Sequence, residues 1–238
     1  MDNNNGNSPE SKVVLESIRQ LAESGDAEAQ NKLGIAYFIG KNVTTDYAEA
    51  LRWFMLAAKK EYAAAQYYVG RMHELGRGVS RDDKEAVMWF RLAAEQGFSK
   101  AQAKLGFIFQ GGMDGHKNTE EAIRWFKMAA DQGDVEAQFQ LGSIYLNGGC
   151  IKINVEKAMK WFRLAAENGS CLAATGLGQI YRDGKGVPKN ADEAIRRFKI
   201  AFEKGDNGAA LEIARMHLNG NGVPVNNEEA TKWYKLAV

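Results

Sequence analysis

Three histidines, two cysteines and a set of glycine-rich turns are the residues of this chain that could carry chemistry. Histidine serves as metal ligand or general base, paired cysteines as a disulfide, and a glycine loop as a phosphate cradle. None is placed for such work. His116 stands in Gly-Gly-Met-Asp-Gly-His, with no cysteine or second histidine at ligand spacing. The chain contains no His-Glu-x-x-His, no Gly-x-Ser-x-Gly and no phosphate-binding glycine loop. The expectation is therefore no catalytic residue, no metal and no cofactor.

Composition narrows the classes further. The chain is 45% hydrophobic and 26% charged with a formal net charge of +1, so no clustered Lys and Arg mark a nucleic-acid footprint. No apolar run is long enough to span a bilayer, which argues against membrane insertion. The opening MDNNNGNSPESK lacks the apolar stretch of a signal peptide. That predicts a cytoplasmic protein, or a secreted or periplasmic one only if a signal peptide has been removed.

What positions every one of these residues is a repeat. The segments beginning at Ala29, Ala65, Ala101 and Ala137 read AQNKLGIAY, AQYYVGRMH, AQAKLGFIF and AQFQLGSIY. Leu33-Gly34, Val69-Gly70, Leu105-Gly106, Leu141-Gly142, Leu177-Gly178 and Ile213-Ala214 each follow the last by 36 residues. Trp53-Phe54, Trp89-Phe90, Trp125-Phe126, Trp161-Phe162, Arg197-Phe198 and Trp233-Tyr234 keep the same beat. A fixed period of this length is the signature of a stacked-repeat architecture.

Each half of the repeat has a helical period. Ala29, Leu33 and Tyr37 lie on one face of the first helix, and Ala50, Trp53, Phe54, Ala57 and Ala58 follow the i, i+3, i+4, i+7, i+8 stripe of the second. Asp46, Asp82, Asn118, Asn154, Asn190 and Asn226 share one frame, with Glu usually three residues on, a capping-box-like start. Gly25, Gly97, Gly133, Gly169 and Gly205 supply the stop. The small residues predict close approach, Gly34 facing Ala57 and Ala58, with Trp and Phe filling the gap to the next repeat. The fold class expected is all-α, with six helix-turn-helix repeats over 26–238 as one solenoid domain, a capping helix over 9–25, and a disordered 1–8.

Within this frame the chemical candidates become structural. His73 and His217 occupy the position of Tyr37, Phe109, Tyr145 and Tyr181, and lie four repeats apart, too far to share a metal. Cys150 and Cys171 sit at opposite ends of a helix of about 14 residues, roughly 20 Å apart, whereas a disulfide needs Cα atoms within about 7 Å. Glu61 stands where Gly is otherwise found, so that joint should differ in backbone or strain. Arg197 in place of Trp, Phe202 in place of Ala and Ala214 in place of Gly predict a repacked last joint, with a binding role for Arg197 as the alternative.

The pattern A-x-x-x-L-G-x-x-Y, then G-x-G-V-x-x-D/N-x-x-E-A-x-x-W-F-x-x-A-A-x-x-G, closely resembles the Sel1-like repeat, a relative of the tetratricopeptide repeat, from about Asp26 to the end. The resemblance implies a right-handed α/α superhelix whose first helices line a concave groove. Positions two before, two after and five after the Leu then point into it, among them Ile35, Phe38, Tyr67, Arg71, Phe107, Phe139, Arg182 and Arg215. Aromatic residues and Arg are enriched at interface hot spots. The other reading is that these aromatics shield the seam between adjacent first helices.

The function implied is a scaffold or adaptor holding a partner protein or peptide, of the kind found among bacterial regulatory, host-interaction and effector-immunity proteins. The alternative is an enzyme of the β-lactam-binding or hydrolysing type, which the resemblance associates with a cysteine-rich branch that this chain does not match. Trp233 and Leu236 on the last helix form a candidate end-face interface. Two explanations are open there: cover by self-association or a partner, or excision from a longer repeat array.

Overall fold

Helix starts and stops follow the repeated signals. The computed structural model describes residues 9–112, 117–148 and 150–237, and it divides into two compact units, one through Asn118 and one from Thr119. The expected disorder of 1–8 and the position of His116 lie outside the described residues. The first unit holds α1 (Pro9–Glu23), α2 (Ala27–Ile39), α3 (Tyr47–Ala58), α4 (Ala63–Leu75), α5 (Asp83–Glu95) and α6 (Ser99–Gly111). The second holds α7 (Thr119–Asp131), α8 (Val135–Asn147), α9 (Val155–Glu167), α10 (Cys171–Asp183), α11 (Ala191–Glu203), α12 (Asn207–Asn219) and α13 (Asn227–Leu236). Among the described residues there is no strand. Within each unit every helix packs chiefly on its neighbours in sequence.

Second helices are capped as the frame predicts, with one difference. The Asp46, Asn154, Asn190 and Asn226 side chains each accept from the backbone N–H three residues on at 2.9 Å, and Asp82 accepts from Lys84 and Glu85 at 3.0 Å. The reciprocal half of a capping box is absent from these helices. The cap residue's own N–H donates instead to a carbonyl nine residues earlier: Asp46 to Tyr37, Asp82 to His73, Asn154 to Tyr145, Asn226 to His217. The bond closes the loop inside the repeat and explains why a histidine serves where a tyrosine does. What is used is the main-chain carbonyl.

Glycine at the joint between repeats adopts φ between 87° and 103°, a left-handed conformation that costs other residues energy. Glu61 keeps it at φ 60°, and Tyr62 N–H still reaches the Ala57 carbonyl at 3.2 Å. The joint expected to differ in backbone or strain thus keeps the geometry and carries the strain, of order 1 kcal/mol.

The packing of the small residues corrects the sequence expectation. Gly34 meets the Phe54 ring, not Ala57 and Ala58. A Cβ placed on Gly34, Gly70, Gly142 or Gly178 would come within 2.5–2.8 Å of Phe54, Phe90, Phe162 or Phe198 respectively. The phenylalanine is therefore the centre of its own repeat's helix pair. All four rings are at most 2% exposed.

A polar ladder crosses the joints. Gln30, Gln66, Gln102 and Gln138 are buried and donate to the carbonyls of Ala22, Ala58, Ala94 and Ala130. Gln66 and Gln138 in turn accept from Gln96 at 2.7 Å and Asn168 at 3.1 Å. Where the frame has Ala174, Lys204 reaches across, its ammonium donating to the Ala166 carbonyl at 2.6 Å. A carbonyl left unpaired there would cost about 1–3 kcal/mol, and the lysine takes over the glutamine's task. The last joint is repacked as predicted: Arg197 pairs with Glu193 at 2.6 Å, and Phe202 meets Trp233 edge-on at 6.0 Å.

Gly70→Ala should lower unfolding free energy by about 1–2 kcal/mol, because overpacking against Phe90 outweighs the gain of about 1 kcal/mol in helix propensity. Gly111→Ala, with nothing within 4 Å of its added Cβ, should raise stability instead. Denaturant melts of the two variants check the contrast; equal effects would contradict the close-approach account.

Candidate protein-docking faces of the first helices

Within each unit, two rows of a first helix meet the next first helix. The residue five after the Leu meets the residue 30 further on, one before the Leu of the next first helix. The pairs are Phe38 with Tyr68 (ring centroids 6.1 Å), Glu74 with Lys104 (2.5 Å) and Arg182 with Glu212. The last two are the same ionic bridge with its signs exchanged. The residue two before the Leu reaches the cap of the next first helix: Tyr67 packs on Phe98 at 5.4 Å, and the Thr175 hydroxyl donates to Asp206 at 2.5 Å.

Several candidate residues are therefore seam residues at least in part. Phe38 also lies against Tyr47 and Phe54 at 5.7 and 6.4 Å, Tyr67 against Phe90 at 5.6 Å, and Phe139 against Phe162 at 5.7 Å. Truncating them removes packing as well as surface. Asn31, assigned to the open face by frame alone, is only 5% exposed. Arg182 is held by Asp183 at 2.7 and 3.2 Å and by Glu212.

The row two after the Leu is the one left facing outward. In the first unit it comprises Ile35, Arg71 and Phe107. Ile35 lines an apolar depression of about 250 Å³ with Val14, Leu15, Ile18 and Ala36. Arg71 donates to the Tyr67 hydroxyl at 3.3 Å and pairs with Glu74 at 3.2 Å; the tyrosine and the carboxylate favour its charged form over the cost of burial. Phe107 lines a cleft of about 420 Å³ with Arg81, Asp83, Lys104, Ile108, Gly111 and Gly112. In the second unit the row is Ser143, Gln179 and Arg215, the last paired with Glu212 at 2.9 Å but 56% exposed along its side chain. A second cleft, of about 640 Å³, lies between Arg182, Asp183 and Lys189 on one side and Gly220, Asn221 and Gly222 on the other.

The profile of the Sel1 repeat matches residues 27–62, 63–98, 99–134, 135–170, 171–206 and 208–238. The chain belongs to the Sel1 repeat family. A stretch of 45 residues is 49% identical to the secretory immunoglobulin A-binding protein EsiB of Escherichia coli O6:H1, covering 19% of this chain and 9% of that protein. Among solved structures, a protective antigen of uropathogenic E. coli with an SLR fold superposes at a TM-score of 0.87 with 33% identity, over 94% of this chain and 48% of the antigen. A Sel1 repeat protein from Oxalobacter formigenes superposes at 0.78 with 30% identity, over 94% and 98% of the two chains. The chain thus spans about half of the antigen and a small part of the immunoglobulin-binding protein. An immunity protein from Pseudomonas aeruginosa, at 16% identity and a TM-score of 0.50, shares the fold alone. The Sel1 repeat chain is accordingly an all-α solenoid, an architecture suited to protein interaction.

The remaining chemical candidates take structural places. His73 and His217 are half-buried in the loop-closing frame, Cys150 and Cys171 are free thiols, and no group of three His, Cys, Asp or Glu suited to a metal occurs among the described residues. Among the described residues no helix is long and apolar enough to cross a membrane. Frame reasoning missed Lys104 and Arg81, because one lies a residue before the Leu and the other in a loop. Their signal was charge beside an aromatic row.

Leu236 needs correction. Its counterparts Leu56, Leu92 and Met128 are 39%, 39% and 37% exposed although another repeat follows each, so its frame is not a face buried against a successor. The residue that differs is Tyr234, half-buried where Phe54, Phe90 and Phe198 are fully buried.

Proposed function

We propose that this Sel1 repeat chain is a non-enzymatic docking protein whose first-helix faces hold a partner protein or peptide. The observation that carries the reading is the outward row beside the clefts, with Arg71 and Phe107 in one unit and Arg215 in the other. These residue types dominate binding energy at interfaces, and the seam accounts for Phe38, Tyr67, Phe139 and Arg182 only on one side. The relatives support the same class of work: one is named for binding secretory immunoglobulin A, and another is an antigen of a uropathogen. A host-facing or regulatory role is the finer form of this proposal. Affinity capture from native cell extract, read by mass spectrometry, should return a partner that an Arg71→Glu, Arg215→Glu variant loses by about tenfold or more. An unchanged set of captured proteins would count against the first-helix faces.

Self-association through α13 is a second proposal. Trp233 and Tyr234 are its support, with Leu236 at the edge. Sedimentation of the wild type should show concentration-dependent dimers that Trp233→Glu abolishes; a monomer at every concentration rules this out.

A further inference from the structure

The charges on α4, α6 and the loop beside them do not cancel. Glu74 sits between Arg71, 3.2 Å from one carboxylate oxygen, and Lys104, 2.5 Å from the other. Its side chain is 12% exposed, whereas those of Arg71 and Lys104 are 35% and 26% exposed. One inward carboxylate therefore serves two cations that both retain an outward side. Arg81, on the rim of the same cleft, is gripped by Asp83 at 3.0 and 2.9 Å. Arg77 covers the rings of Phe38 and Tyr47 at 5.5 and 5.0 Å and forms no ion pair. Arg71, Lys104 and Arg81 thus share two carboxylates, Glu74 and Asp83.

Lys104 and Arg81 border a cleft with an apolar wall, Phe107, Ile108, Gly111 and Gly112 lining about 420 Å³. Cations on the rim and an aromatic ring inside make a complementary shape for a carboxylate flanked by an apolar side chain. The corresponding cleft of the second unit has cations but no aromatic ring among its lining residues. There Arg182 and Arg215 share Glu212, and Asp183 holds both Arg182 and Lys185.

We infer that the cleft between the α4–α5 loop and α6 takes an acidic segment of a partner protein, its Asp or Glu carboxylate on Arg71 and Lys104 and a neighbouring apolar side chain against Phe107. The inference rests on the first-helix face being the docking face and specifies the partner's chemistry. Glu74 acts as an internal competitor, holding both cations in place until a partner carboxylate joins them. The half-buried Phe107 ring favours a peptide over a nucleic-acid strand, whose phosphates would need a longer cationic track.

The test is selection of a random peptide library displayed on phage against the full chain, followed by fluorescence anisotropy with a synthetic copy of the enriched sequence. The expected peptides combine Asp or Glu with an aromatic residue or Leu, and bind more weakly as salt rises. Arg71→Glu and Lys104→Glu should each weaken binding about tenfold or more. Lys127→Glu, the same charge change on an exposed cation of α7, should not alter it. Glu74→Gln should tighten binding several-fold, a gain that a merely structural glutamate would not produce. Thermal melts of each variant confirm folding. Neutral or basic peptides that lose binding on Phe107→Ala would overturn the acidic assignment and leave the docking face standing. Peptides indifferent to every first-helix substitution, or no enrichment at all, would overturn both. An oligothymidylate that competes at equal affinity would reassign the cleft to polyanions.

Discussion

A glycine laid against a phenylalanine ring sets the geometry of each repeat. With no Cβ on Gly34, Gly70, Gly142 or Gly178, the first helix comes close enough for its backbone to rest on the ring of the second. Any side chain there would have to displace a fully buried aromatic, and close-packed interiors yield little. That separation decides where the two outer rows of the first helix fall, and so which residues meet the next repeat and which face outward. The proposed docking surface follows from this contact. The last repeat shows the coupling: Ala214 replaces the glycine, and the ring opposite becomes Tyr234, half-buried.

Burying helix ends at every joint creates polar groups that need partners. The Gln ladder answers this inside the joint, and Lys204 answers it where Ala174 has no side chain to offer. The loop inside each repeat is closed by a main-chain bond from the cap residue to the aromatic or histidine carbonyl nine residues before. Because these bonds and the packing beside them link neighbours in sequence, stability builds up repeat by repeat. Side chains of the row two after the Leu are half-buried except Arg215, which is exposed. That row is where partner recognition is proposed.

The fold was legible because its signals are local and recur at one period. The Asp or Asn caps, the joint glycines and the Leu-Gly and Trp-Phe pairs name the helices and their ends, and even Glu61 reads as a strained glycine position. The docking face was legible only in part. A frame counted along one helix assigns Phe38, Tyr67 and Arg182 an outward direction, but their actual partners lie 30 or 31 residues on, in another helix. The stagger between helices depends on the Gly–Phe contact distance, which no pattern in the sequence states. The same limit hid Lys104, and it made Leu236 look like a residue waiting for a cover when Leu56, Leu92 and Met128 in its frame are exposed as well.

Function follows from which surface remains. Second helices bury their aromatic stripe against their own repeat and its neighbour, first helices meet the next first helix through two rows where contacts are seen, and the third row carries Arg71, Phe107 and Arg215. The most direct measurement is hydrogen–deuterium exchange of the chain free and bound to a captured partner. Protection on binding should concentrate in the α4–α5 loop and in the first helices α4 and α6. Protection confined to second helices such as α3 and α5, with α4 and α6 unchanged, would contradict the account.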